Sequence, residues 1–444
     1  MVTFWTIALI VLSISFIVFV IFFGRLPALR NTPIGLLHRL ITSSLPSLFQ
    51  VLDSHLFSGR LIPRISRSLN HIAYGRHPTI LIFFLLLLIV GQALFLPSAW
   101  PSLSSFHKLF GVIAILLPYL FIYLSAYTSP GLITAENLPY HLYLYPYDFT
   151  LFHPGQFCKT CRIPKPARSK HCSVCGFCVS KMDHHCVFIN ACVGRENQHY
   201  FLLLLLSTAA LTAYGACLGI SILGARSMDK FPTWSRLKPS GMSWESWFSG
   251  WGYAVHTSVG LGSVTMLTAL TSPMVWSLFF YQVYLIYVGT TTNESMKWSD
   301  WKVEMDDDCA FIRPLSPATR QKDRRFESLD GRWPLEPVQI MVRTDDGTMP
   351  APNSGIPGNG DWRRVKRLAD VENLYDLGFW DNLCDVFLPG FEFGGEGGDD
   401  GWEDDDVEVG NGNRPAKPVM PSIPATRRRR RNKRRKSGAG RRRD

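Results

Sequence analysis

Long parts of this sequence have no charged residues. No Lys, Arg, Asp or Glu occurs before Arg25, and none occurs in residues 246–293. An apolar helix of about 20 residues is long enough to cross a bilayer, and uncharged stretches of that length are typical of membrane spans. The 444 residues therefore do not form a single soluble globule.

The first uncharged run also lacks a basic residue ahead of it. A cleaved signal peptide has a positively charged start and an apolar region of about 7–15 residues. The run from Thr3 to Phe23 is uncharged and longer than that. We therefore expect residues 1–24 to form a retained first span, with a signal peptide as the alternative.

Further apolar runs predict an α-helical polytopic membrane protein with about five transmembrane helices. Residues 79–127 would hold the second and third spans, 200–223 the fourth and 264–290 the fifth. The uncharged residues 246–263 could belong to an additional span. Because this part contains four glycines, which weaken helices, we predict that it is a lumenal segment at the membrane interface.

Basic residues are scarce in two of the segments between the spans. Linker 98–109 has one Lys or Arg and segment 224–263 has four, whereas 25–78 and 128–199 have seven each. Loops rich in Lys and Arg stay in the cytosol. We therefore predict that the two basic loops are cytosolic and that 224–263 is lumenal. Five spans then place the C-terminal region, 291–394, in the cytosol.

The sequence has no net charge outside its last 18 residues. Residues 427–444 carry twelve Lys or Arg and one Asp, and the rest of the chain has 34 basic and 34 acidic residues. The formal charge of +11 therefore gives no reason to expect a nucleic-acid partner. Residues 395–444 hold an acidic run and then the basic cluster, a composition typical of disorder. Such a cluster can bind anionic membrane lipids.

Cysteine is scarce outside one segment. Seven of the ten cysteines lie between Cys158 and Cys192. A disulfide framework would spread its cysteines more evenly, and disulfides are rare in the reducing cytosol. The cluster predicts a cytosolic metal-binding domain in residues 128–199, between the third and fourth spans.

Zinc suits this cluster, because a tetrahedral zinc ion takes four sulfur or nitrogen ligands and a Cys-x2-Cys pair supplies two from one turn. Two sites need eight ligands. The six cysteines other than Cys186 and two of the three histidines, at 171, 184 and 185, supply them. One cysteine and one histidine remain as candidate nucleophile and base beside Asp183, which can orient an imidazole. Alternatively, Cys186 is itself a metal ligand or a buried structural thiol.

The segment from Cys158 to Phe201 resembles the cysteine-rich domain of the DHHC-type protein S-acyltransferases. The matching elements are Cys158-x2-Cys161, Pro166-x-Arg168, His171-Cys172-x2-Cys175-x2-Cys178, Asp183-His184-His185-Cys186, Cys192, Asn197 and Tyr200-Phe201. The resemblance implies two structural zinc ions. One would be held by Cys158, Cys161, His171 and Cys178, and the other by Cys172, Cys175, His185 and Cys192. Cys186 would carry the acyl group, with His184 as its base and Asp183 as the orienting carboxylate.

Two motifs beyond the fifth span strengthen the resemblance. Thr291-Thr292-Asn293-Glu294 is similar to the family's Thr-Thr-x-Glu motif, whose second threonine lies near the catalytic residues. Tyr375-x2-Gly378-x3-Asn382 is similar to the family's C-terminal contact motif, in which the Asn braces the last membrane helix.

Three positions depart from the family pattern. Val187-Phe188 replaces the usual Pro-Trp, Asn190-Ala191 the usual Asn-Asn, and Ser129-Pro130-Gly131 the usual Asp-Pro-Gly. These departures and the five spans resemble the fungal endoplasmic-reticulum branch that acylates SNARE proteins. The resemblance implies residence in that membrane, an active site facing the cytosol, and SNARE proteins among the substrates.

The activity implied is that of a protein S-palmitoyltransferase. It would move a long-chain acyl group from acyl-CoA, such as palmitoyl-CoA, through a thioester on Cys186 to membrane-proximal cysteines of other proteins. The phosphates of CoA need basic surroundings. The candidate cofactor contacts are Arg168, Lys170, Lys181 and Thr292, and solvated surface charge is the alternative for the three basic residues.

Two other functions compete with this enzyme. A catalytically inactive, zinc-braced membrane adaptor would have the same spans and metal ligands. A RING-type ubiquitin ligase would need a longer gap between its first two cysteine pairs and a following Cys-x-His, which the sequence lacks.

Overall fold

The computed structural model describes most of the chain between residues 32 and 393. The described residues are 32–56, 59 and 77–393 except 317–319, 329 and 353–354, together with scattered residues between 9 and 29. The predicted first span, 1–24, lies largely outside the described residues. The predicted disordered tail, 395–444, lies wholly outside them.

Ten α-helices are described in these parts of the chain. They are α1 (Pro33–Arg39), α2 (Leu45–Leu56), α3 (Thr79–Ala99), α4 (Ser105–Tyr127), α5 (Leu138–Leu144), α6 (Gln198–Lys230), α7 (Trp244–Thr257), α8 (Val259–Tyr287), α9 (Thr292–Asp306) and α10 (Phe379–Phe387). Among the described residues, α3, α4, α6 and α8 are long and apolar enough to cross a membrane. With its cysteine-rich segment between α4 and α6, the chain is a helical polytopic membrane protein.

The helix α6 continues seven residues beyond the predicted end of the fourth span at 223. This extension contains Arg226, and a charged side chain without partners is costly in lipid. In the structure the Arg226 guanidinium donates hydrogen bonds to the Ser98 carbonyl at 2.8 Å and to the Ser258 hydroxyl. The charge therefore has partners on α3 and at the start of α8, and the helix continues past it.

The glycine-rich residues 246–263 are helical, contrary to the expectation that they make a poor helix. They form most of α7 and the start of α8, with a break at Ser258. The glycines serve close packing: a Cβ at Gly250 would overlap the Trp234 ring, and one at Gly262 would overlap Val255. Helix α8, which covers most of the predicted fifth span, begins at Val259, five residues before 264.

Within the part of the chain that the structure describes, eight short strands lie outside the long helices. They are β1 (Leu132–Ile133), β2 (Lys170–Cys172), β3 (Phe177–Val179), β4 (His184–Cys186), β5 (Ala191–Val193), β6 (Ala310–Pro314), β7 (Gln339–Arg343) and β8 (Arg363–Arg364). The cysteine-rich segment contains the antiparallel sheet β1-β3-β2 and the hairpin β4-β5. The region after α8 contains the sheet β7-β6-β8.

The region after α8 packs against the polypeptide that leads into the cysteine-rich segment. Tyr145, Phe149 and Phe152 from that polypeptide share one buried core with Phe311 on β6 and with Tyr375. Burying an aromatic side chain removes a large apolar area from water. This core therefore holds the C-terminal region on the cysteine-rich segment, close to the candidate site.

Candidate active site and zinc centres

The hairpin β4-β5 separates two histidines that are adjacent in sequence. In the hairpin, His184 pairs with Val193, His185 with Cys192 and Cys186 with Ala191. Successive side chains of a strand point to opposite faces. His184 and Cys186 therefore share one face, and His185 points to the other, where Cys192 lies. The alternation explains how neighbouring histidines can serve different purposes.

The Cys186 thiol lies against an apolar cluster of the membrane helices. Cys186 is 8% exposed and packs with Ile122 of α4 and with Phe201 and Leu204 of α6. The partly buried side chains around this cluster include Phe84 of α3 and Phe279 of α8. The thiol therefore lies where the cysteine-rich segment meets the apolar side chains of the membrane helices.

His184 connects the thiol to Asp183. The His184 Nδ1 atom lies 2.5 Å from Asp183 Oδ2. Burial alone would lower the pKa of His184, but its interactions with Asp183 and Cys186 raise it to about 10. Burial alone would raise the pKa of the Cys186 thiol, but the interaction with His184 outweighs burial, and the pKa of the thiol is lowered. The pair therefore favours a thiolate beside an imidazolium.

Donors on α8 and at the start of α9 hold the Asp183 carboxylate in place. Thr292, the first residue of α9, donates its backbone N–H to Oδ1 and its hydroxyl to Oδ2 at 2.9 Å. The Gln282 amide on α8 lies 3.4 Å from Asp183 Oδ2 and 3.2 Å from the Thr292 hydroxyl. Asp183 is 2% exposed, so these donors replace the water that a buried carboxylate loses.

Two groups of side chains have the composition and the spacing of tetrahedral zinc sites. The first group is Cys158, Cys161, His171 and Cys178, and the second is Cys172, Cys175, His185 and Cys192. A zinc ion with bonds of about 2.3 Å to sulfur keeps two ligand sulfurs about 3.8 Å apart. The Cys161 and Cys178 sulfurs are 3.8 Å apart. The Cys175 and Cys192 sulfurs are 3.6 Å apart.

The histidine of each group presents Nδ1 to the sulfurs. His171 Nδ1 is 3.3 Å from the Cys161 sulfur, and His185 Nδ1 is 3.4 Å from the Cys175 sulfur. Each group therefore offers three sulfurs and one nitrogen to a single ion. With four protein ligands, neither centre would leave a position for substrate, and zinc would brace the fold.

Arg168 joins the cysteine-rich segment to α9. Its Nε and Nη2 atoms form two hydrogen bonds, of 2.8 and 2.7 Å, with the two carboxylate oxygens of Glu294. Glu294 also completes a capping box with Thr291 at the start of α9. The same carboxylate therefore starts the helix and fixes Arg168, which keeps Thr292 opposite Asp183.

The contact motif after β8 also meets the last membrane helix. The Asn382 amide lies 3.5 Å from the Tyr287 carbonyl at the end of α8, and its side-chain oxygen accepts from Leu377 N–H at 3.0 Å. The Tyr375 hydroxyl donates to the Pro146 carbonyl at 2.8 Å, and its ring lies under Arg168 at 4.5 Å.

The four residues predicted to contact CoA occupy different environments. Arg168 and Lys181 are 2% and 4% exposed, and they face Glu294 and Asp385 inside the protein. Thr292 faces Asp183. Lys170 is exposed and donates to the Asn293 side chain at 2.8 Å. Their contact with CoA stays a prediction, and Lys170 is the member of the set that is open to solvent.

Sequence reasoning did not single out three residues that belong to this environment. Gln282 contacts the Asp183 carboxylate, and Asp385 pairs with Lys181. The Lys297 ammonium lies 3.7 Å over the Phe152 ring, and its pKa is lowered by burial and by neighbouring lysines that include Lys170. A Gln inside an apolar span was a visible signal for Gln282, whereas no motif marked the other two.

Comparison with known proteins identifies the family. Residues 151–299 match the family model described as DHHC palmitoyltransferase. Palmitoyltransferase SWF1 of Neurospora crassa is 52% identical over 87% of this chain and 92% of its own length. Palmitoyltransferase swf1 of Emericella nidulans is 41% identical over 86% and 96%. The protein of that name in Schizosaccharomyces pombe is 35% identical over 84% and 94%.

The fold and the relatives together define a membrane-embedded acyltransferase that has two Cys/His groups of the zinc-finger kind. The chain belongs to the DHHC palmitoyltransferase family. It is a protein S-palmitoyltransferase, which confirms the predicted enzyme and leaves the inactive adaptor without support.

Proposed function

We propose that Cys186 is the nucleophile that carries the acyl group, with His184 as its base and Asp183 as the orienting carboxylate. The observation that supports this most is the continuous line from the Thr292 hydroxyl through Asp183 and His184 to the thiol. Because Asp183 occupies Nδ1 of His184, Nε2 is the nitrogen left for the thiol proton. The orienting role is that of the third member of a catalytic triad.

The reaction has two thioester exchanges. In the first, the Cys186 thiolate attacks the thioester carbon of acyl-CoA, the bond from that carbon to the CoA sulfur breaks, and His184 returns its proton to the leaving CoA. In the second, a substrate cysteine gives its proton to His184 and attacks the acyl-enzyme, and the Cys186 thiolate is released. No net proton or electron is consumed, and the covalent intermediate divides the transfer into two steps.

Acyl-CoA is the proposed donor, because the site offers both environments that this molecule needs. The thiol borders the apolar cluster of α4 and α6, which suits a chain that gains about 0.8 kcal/mol for each buried methylene. Exposed Lys170 and the nearby Lys297 suit the CoA phosphates. Palmitoyl-CoA is the donor that we would test first.

The protein substrates are proposed to be membrane-associated proteins with cysteines close to the bilayer, SNARE proteins among them. A thiol at the border between α4 and the cysteine-rich segment reaches only cysteines that approach the membrane. We also propose residence in the endoplasmic reticulum with the active site in the cytosol. The basic loops 25–78 and 128–199 support that orientation, and free thiolate ligands suit a reducing compartment.

The deciding experiment compares purified wild-type protein with Cys186→Ser. Both are incubated with labelled palmitoyl-CoA, treated with neutral hydroxylamine to cleave thioesters, and analysed for zinc. We expect the variant to lose the label and to keep its zinc. Loss of zinc together with the label would make Cys186 a metal ligand, and retained label would place the acyl group on another cysteine.

A further inference from the structure

Asp385, on α10, lies at the centre of a buried cluster of charges. The cluster includes Lys181, in the turn that leads into β4, the strand of His184 and Cys186, which is called the catalytic strand below. Its Oδ2 atom is 2.7 Å from the Lys181 ammonium, and its Oδ1 atom is 2.6 Å from an Arg332 guanidinium nitrogen. The Tyr145 hydroxyl lies 2.8 and 2.9 Å from the two oxygens, and Arg168 is 3.9 Å from Oδ2. Asp385 is 1% exposed.

This cluster holds more positive than negative charge. The cations are Arg168, Lys181 and Arg332, and the acids are Asp385 and Glu294. Burying an ion without a partner costs several kcal/mol. Burial alone would raise the pKa of Asp385, but Lys181, Arg332 and Arg168 lower it well below its ordinary value. Asp385 is therefore charged, and it is the close partner of Lys181 that permits this lysine to be buried.

Lys181 belongs to the turn that leads into the catalytic strand. It comes two residues before Asp183, and its backbone has φ of 42°, in the left-handed region that non-glycine residues rarely adopt. The next residue, Met182, donates its N–H to the Arg168 carbonyl at 3.1 Å, and Arg168 has φ of 59°. Such conformations persist where surrounding contacts enforce them. The ion pairs of both side chains supply such contacts.

We propose that Asp385 is a positioning residue for acyl transfer, which through Lys181 holds the turn that presents Asp183 and His184 to Cys186. The C-terminal helix α10 then sets the geometry of the catalytic strand from outside the cysteine-rich segment. This rests on the proposed roles of Cys186, His184 and Asp183. It also gives Lys181 a purpose different from the predicted contact with CoA.

The test compares Lys181→Met and Asp385→Asn with the matched control Arg332→Met. Arg332 pairs with the same carboxylate but through its other oxygen, and it does not belong to the turn that leads into β4. Each variant is assayed for the rate of thioester formation over a range of palmitoyl-CoA concentrations, for zinc content and for thermal stability. A displacement of about 1 Å at a catalytic centre can cost about 100-fold in rate. We expect Lys181→Met and Asp385→Asn to lower kcat about 10- to 100-fold with zinc and KM unchanged.

Arg332→Met should lower thermal stability and leave kcat within about threefold of wild type, since Lys181 keeps its partner. Asp385→Glu, which retains the charge, should recover part of the rate lost in Asp385→Asn. If Asp385→Asn fails to fold, Lys181→Met decides the question, because Asp385 then still has Arg332 and Tyr145.

Three results would overturn the proposal. A raised KM with normal kcat in Lys181→Met would make this lysine a CoA contact. Equal losses of kcat in Lys181→Met and Arg332→Met would make the cluster merely structural, and normal kcat in Lys181→Met would remove its role. The Cys186→Ser reference separates these results from a failure of the proposed function, which would appear as label retained in that variant.

Discussion

Replacing Thr292 by Val removes one hydroxyl and nearly preserves the shape of the side chain. In the structure this hydroxyl donates to Asp183 Oδ2 at 2.9 Å, while the Thr292 backbone N–H donates independently to Oδ1. The substitution therefore removes one of the donors that fix the orienting carboxylate. Helix α9 and its capping box, which uses Thr291 and Glu294, should remain.

The size of the effect follows from the kind of hydrogen bond. A hydrogen bond to a charged group contributes about 1.5–3 kcal/mol, and each 1.4 kcal/mol changes a rate about tenfold. The Gln282 amide, 3.4 Å from Asp183 Oδ2, can move closer and replace part of the interaction. We therefore expect Thr292→Val to lower kcat for thioester formation on Cys186 about tenfold, with KM for palmitoyl-CoA unchanged.

The assay measures initial rates of hydroxylamine-sensitive labelling against palmitoyl-CoA concentration for wild type, Thr292→Val and Thr292→Ser. The serine variant retains the hydroxyl and is the matched control, so its rate should stay close to wild type. A raised KM with normal kcat would refute the reasoning and support the predicted contact between Thr292 and CoA. Equal losses in the two variants would also contradict the reasoning, because Thr292→Ser retains the hydroxyl and the hydrogen bond to Asp183 could then not account for the effect.

Three further substitutions test other parts of the structure. Glu294→Gln leaves the buried Arg168 guanidinium without its bidentate partner and should destabilise the protein by about 3 kcal/mol; an unchanged thermal midpoint in detergent would contradict the importance of this pair. Cys161→Ser removes one ligand of the first zinc group and should lower bound zinc by about half, measured by atomic emission, whereas full zinc content would show that the ligand set is wrong. Gly219→Ala places a Cβ against Thr265 where α6 packs on α8 and should cost about 1–3 kcal/mol; adding Thr265→Ala should restore the thermal midpoint, and failure to do so would assign the loss to another cause.

The spans that were easiest to predict are those whose ends coincide with a change of composition. Helix α3 begins at Thr79 and α4 ends at Tyr127, which are the outer bounds of the predicted segment 79–127. Helix α4 begins next to Ser104, whose side chain accepts from the His107 N–H. The end of α6 was harder to predict, because a charge such as Arg226 does not reveal in the sequence that Ser98 on α3 and Ser258 at the start of α8 accept its hydrogen bonds. The glycines in 246–263 were misjudged for a similar reason, since the sequence does not show that the Trp234 ring fills the space beside Gly250.

The candidate site was predictable where chemistry depends on local spacing. The cysteine pairs indicated two four-ligand sites, and the division of the ligands between them came from the family resemblance; the structure brings the same residues together. The alternation along β4, which places His184 and His185 on opposite faces, is visible only in the structure. The charges around Asp385 were beyond prediction, because Asp385 lies about 200 residues beyond Lys181 in the chain and carries no motif of its own. Long-range ion pairs depend on how the C-terminal region folds back, which no local pattern encodes.

The contact between Asp183 and Thr292 has a consequence for the order in which the protein is made. A ribosome completes the cysteine-rich segment, with all of its metal ligands and its thiol, well before it synthesises the last membrane helix and the residues that follow. Until α9 emerges, the Asp183 carboxylate lacks the Thr292 donors that hold it. A nascent chain ending before α9 should therefore bind zinc and yet transfer no acyl group. Acyl transfer would begin only after the final span is inserted and the C-terminal region has closed onto the domain made earlier.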